Sequence, residues 1–71
     1  MKYRRIYDFA VVYYDRKRRR LRMYMTMAEN AEKVRADFES ECPEREATLM
    51  SIIRSPEQPH LEVIRLDEKN P

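Results

Sequence analysis

Residues 3–27, YRRIYDFAVVYYDRKRRRLRMYMTM, decide how this chain folds, because they read as two strands joined by a charged turn. Tyr3, Tyr7, Phe9, Val11 and Tyr13 fall at one parity, and Ile6, Ala10, Val12 and Tyr14 at the other. Aromatic and β-branched residues at both parities describe a strand with apolar character on each face. Asp15 to Arg18 is polar and reads as a turn. The chain has no glycine, so the tight two-residue hairpin turn is disfavoured and a loop of three to five residues is expected. Beyond it Leu21, Met23, Met25 and Met27 alternate with Arg20, Arg22, Tyr24 and Thr26. That period of two marks a half-buried strand, thioether and aliphatic on one face, arginine and tyrosine on the other.

Working outward from the hairpin, Thr26 and Glu29 stand at capping-box spacing, and Met27, Ala31, Val34, Phe38 and Cys42 recur at helical intervals. These residues predict a helix that Pro43 ends. A third strand is expected over Ala47 to Arg54, a turn over Ser55 to Pro59 with its two prolines, and a fourth strand, at an edge, over His60 to Leu66. A helix between strands two and three makes a crossover, and a right-handed crossover returns the chain parallel to the strand it left. Strand three then lies beside strand one. The expected fold class is α+β: one domain over residues 1–66, an antiparallel sheet in ββαβ(β) order, strand order 2-1-3-4, one helix on one face, and a polar tail over 67–71.

A single helix leaves the other sheet face open. The open face is expected to carry some of Ile6, Ala10, Val12, Tyr14 and Tyr24, with Met50 and Ile52 or their neighbours, the pattern leaving open which parity faces the helix. An apolar patch of that kind marks an interface, and the expected assembly is a homodimer formed through this open face or through a free sheet edge.

Seventy-one residues make room for one domain with a thin core. Cys42 is alone, which precludes an intramolecular disulfide, and with His60 it is the only soft ligand, too few for a structural zinc. Without glycine the chain cannot build the phosphate-cradling loops of nucleotide-binding folds. No metal, cofactor or small-molecule substrate is expected. The basic start, Met1-Lys2-Tyr3-Arg4-Arg5, runs into Asp8 and more arginines instead of a cleavage site, and no apolar run is long enough to cross a bilayer. The expectation is a soluble, cytoplasmic protein.

Charge is strongly polarised along the chain. Residues 1–27 carry nine Lys/Arg against two acids, a net +7, and residues 28–71 carry six against eleven, a net −5. Arg16, Lys17, Arg18, Arg19, Arg20 and Arg22 place six cations in seven positions at the hairpin tip. A charged turn protects a sheet edge from mispairing. Six cations exceed that need, and arginine forks suit phosphate oxygens, so anion binding is the favoured reading. Tyr14 and Tyr24 beside Arg20 and Arg22 match the aromatic-and-arginine surfaces on which unpaired bases stack, and equally an ordinary dimer face.

The acids of the helix and the segment after it (Glu29, Glu32, Asp37, Glu39, Glu41, Glu44, Glu46) suit a solvated face, or a surface that docks in the basic groove of a nucleic-acid enzyme. His60 and Cys42 are a nucleophile-and-base pair in type only. A thiol on an apolar stripe behaves as a small hydrophobe, so no catalytic residues are assigned. The expected function is a non-enzymatic binding module whose arginine hairpin contacts nucleic-acid phosphates. The alternative is an inhibitor or adaptor, of phage or mobile-element type, that binds a protein acting on nucleic acid.

Overall fold

A computed structural model describes residues 2–41 and 46–64, the side chain of Ile64 excepted. The elements follow in the order β1 (Lys2–Asp15), β2 (Arg20–Ala28), α1 (Ala31–Glu41), β3 (Ala47–Arg54) and β4 (His60–Ile64). They form a small α+β fold, an open four-stranded antiparallel sheet with one helix. Long apolar character on both faces makes β1 the strand on which everything is built. Its second half pairs with β2 on one side and β3 on the other, giving the order β2-β1-β3.

Strand four departs from the expected 2-1-3-4. It pairs with β1, Lys2 opposite Ile64 through Ile6 opposite His60, and not with β3. Neither β2 nor β3 reaches the first five residues of β1, so their backbone groups need another partner. The segment from Ser55 to Pro59 leads β3 into β4 without reversing direction, since both run antiparallel to β1. The Ser55 N–H donates to the Asp8 carbonyl at 2.8 Å, and the His60 ring meets the Asp8 carboxylate at 3.2 Å, so Asp8 stands at the junction between β3 and β4.

The helix rests on the odd-numbered face of β1. Phe9 and Val11 are buried against Val34 and Phe38, one helical turn apart, with Tyr7, Tyr13, Ala28, Ala47, Leu49 and Ile52 packed around them. Four buried apolar side chains are a small core among the described residues. Asn30, and not the Thr26–Glu29 pair, caps the helix: its side-chain oxygen accepts the Lys33 N–H at 2.9 Å. The reason is that β2 continues to Ala28, which leaves Thr26 opposite Phe9 in the sheet. Met27 therefore belongs to a strand and Ala31 is exposed, so among the described residues the buried helical positions are Val34 and Phe38. The expectations for Cys42, Pro43 and the tail from 67 lie outside the described residues.

Candidate nucleic-acid interface

The hairpin tip is a four-residue loop, Arg16 to Arg19, between Asp15 and Arg20, which pair directly. Without glycine, an ordinary residue must take the left-handed conformation that returns the chain, and Arg19 does so at φ 58°. Asp15 organises the turn. One carboxylate oxygen accepts the backbone N–H groups of Lys17 and Arg18, both at 3.1 Å, and the other meets the Arg18 guanidinium at 3.1 Å. The Arg18 backbone N–H first, and then its guanidinium and the Lys17 N–H, hold the buried Asp15 carboxyl below the usual carboxylate range, against the opposing effect of burial. Arg16 ties the loop to β3: its N–H donates to the Glu46 carbonyl and its guanidinium to the Thr48 hydroxyl, each at 2.6 Å.

All six cations of the cluster, Arg16, Lys17, Arg18, Arg19, Arg20 and Arg22, are exposed. Arg18 is ion-paired with Asp15, and Arg16 is anchored to β3. Among the described residues no carboxylate lies within ion-pair distance of Lys17, Arg19, Arg20 or Arg22. The result is a fixed hairpin whose loop presents Lys17 and Arg19, and whose β2 arm presents Arg20 and Arg22, without a carboxylate partner among the described residues.

The register separates the two tyrosines that the sequence reading places together. Tyr14 is opposite Leu21, and Tyr24 is opposite Val11, so they stand on opposite faces of the sheet. Tyr24 shares the helix-side face with Arg22 and Arg20, and its ring meets Tyr13 edge-on at 6.0 Å; Tyr13 in turn lies 5.7 Å from Phe38. Ile52 also leaves the expected open face. It is opposite Val11 and packs on the core. The cause is a bulge, because the β1–β3 register shifts between Val12 and Tyr13 and Met50 is left unpaired between Leu49 and Ser51. Ala10 and Val12 are on the open face as expected, Ile6 follows their parity beside β4, and Met50 is exposed.

A second polar surface escaped the sequence reading. Tyr3, Arg4, Arg5, Tyr7, Glu29 and Leu61 line an open groove of about 500 Å³ where β4 joins β1. Arg54 lies 4.6 Å above the Tyr7 ring, and Arg4 bridges Glu62 at 2.6 Å and Glu29 at 3.3 Å. The hydrogen bond that Arg4 donates to the Glu62 carboxylate is the main reason the Arg4 guanidinium binds its proton more tightly than usual. The signal in the sequence was the two-residue spacing of Tyr3, Arg5 and Tyr7. Its meaning depended on β4 pairing there.

Among the described residues no three metal-ligating side chains cluster, and no helix is long and apolar enough to cross a membrane. No family model, curated protein or solved structure matches the chain.

Proposed function

We propose that this chain is a non-enzymatic nucleic-acid-binding module that grips phosphates with its β1–β2 hairpin. The observation that carries the reading is the set of four exposed cations, Lys17 and Arg19 on the loop and Arg20 and Arg22 on β2, which have no carboxylate partner among the described residues, at a turn pinned by Asp15 and Arg16. Arg19 strengthens it, since a side chain occupies a left-handed position where glycine would be less strained. A two-stranded ribbon fits a major groove, and guanidinium forks hold phosphate oxygens through paired N–H donors. Tyr24, beside Arg22 on the same face, adds a ring against which an unpaired base can stack.

Titration of labelled duplex and single-stranded oligonucleotides by fluorescence anisotropy, across a salt series, tests this. Binding should fall steeply with salt for every sequence, and Arg19→Ala, Arg20→Ala and Arg22→Ala should each lower the salt slope by about one unit. Tyr24→Leu should weaken single-strand binding, while Tyr14→Leu, on the other face, should not. Salt-independent or absent binding by the parent sinks the proposal and moves the hairpin, or the acidic outer face of α1, to a protein target.

A further inference from the structure

The open face of the sheet is more apolar than the sequence pattern suggests, because the register puts the thioether row of β2 on the face opposite the buried core, with Met27 reaching a pocket shared with Lys33 and Asp37 of the helix. Met27 is opposite Asp8, Met25 opposite Ala10, Met23 opposite Val12 and Leu21 opposite Tyr14, all even-numbered β1 positions, whereas the helix covers the odd ones. Leu21, Met23, Met25 and Met27 are each about 60% exposed (62, 62, 61 and 58%), and Ile53, opposite Ala10 from β3, is 53% exposed. In a chain that is 39% charged, the rows Met25–Ala10–Ile53, Met23–Val12–Ser51 and Leu21–Tyr14–Thr48 hold no charge at all.

We infer that this face is the contact between two copies of the chain, packed sheet on sheet across a two-fold axis. Three observations select that occupant. The first is area: five long apolar side chains exposed by half or more leave on the order of 500 Å² per copy uncovered, so a pair buries about 1,000 Å², where specific interfaces begin. The second is charge. The apolar rows end at Asp8 with His60 on one side and at Thr48 held by Arg16 on the other. An uncharged centre with a polar rim offers nothing to select a charged partner, and a two-fold copy presents the same uncharged rows in return. The third is thickness. The fold is a plate of 46 × 32 × 15 Å, one sheet and one helix deep, with four buried apolar side chains among the described residues. A second sheet about 10 Å away supplies the layer its core lacks. Methionine suits such a contact, since its flexible thioether fills an irregular interface.

The contact lies on the face opposite Arg20, Arg22 and Tyr24, so it stands or falls independently of nucleic-acid binding. Sedimentation equilibrium on the full chain should give a dimer at micromolar concentration. Met23→Lys with Met25→Lys should raise the dissociation constant about 100-fold or more, because each would bury an unpaired ammonium, with the circular dichroism spectrum retained. A measurement on the parent alone covers the case of a variant that misfolds. Peroxide oxidation of Met23 and Met25, followed by mass spectrometry, should be slow at high protein concentration and accelerate on dilution. A parent that is monomeric at high concentration with dilution-independent oxidation overturns the inference. So does a dimer that the folded lysine variant leaves intact, which would point to pairing along the free β2 edge.

Discussion

Asp15 holds Arg18 twice, through its backbone N–H and through its guanidinium, both at 3.1 Å, and so fixes the base of the cationic loop. The carboxyl is depressed below its ordinary value, chiefly by the backbone hydrogen bond from Arg18. A group whose folded pKa is lowered contributes stability above its unfolded value, roughly 3.9, and that contribution disappears as pH falls through the folded value. Thermal melts of the parent and of Asp15→Asn from pH 7 to pH 2 should therefore converge as the pH drops below about 4. Parallel curves over that range would show that the Asp15 charge does not stabilise the loop.

Arg19 adopts a left-handed conformation that a Cβ disfavours. Arg19→Gly removes that strain at the cost of a more flexible unfolded chain, so the loop should gain about 0.5–1 kcal/mol of stability. Nucleic-acid affinity should move the other way, through the lost cation. A denaturant titration beside the anisotropy measurement reads both. A variant that is less stable than the parent would mean that Arg19 holds the loop through contacts of its own.

Phe38 spans the small core, packed with Val34 on Phe9 and Val11 and facing the Tyr13 ring. Truncation to alanine removes about 3–5 kcal/mol, comparable to what one small core supplies in a domain of this size. Phe38→Ala should be largely unfolded at 25 °C by circular dichroism. Retention of a cooperative melt near that of the parent would mean that the sheet and a second copy, more than the helix, hold the fold together.

Element types were legible in the sequence because they depend on local patterns. The alternation of Leu21, Met23, Met25 and Met27 with Arg20, Arg22 and Tyr24 gave β2, the two-faced run from Tyr3 to Tyr14 gave a central β1, and the crossover rule placed β3 beside it. The lack of glycine correctly favoured a longer hairpin loop. What the sequence could not settle was register, since a shift of one residue exchanges the two faces of a strand. Two strands with apolar side chains at both parities left that choice open. Tertiary pairing made it: Tyr24 went beneath the helix side with Val11, the methionines went outward, and the Met50 bulge turned Ile52 into the core. The same holds for β4, whose place on the first half of β1 follows from backbone groups that β2 and β3 leave unpaired, and which no local pattern in residues 60–64 announces.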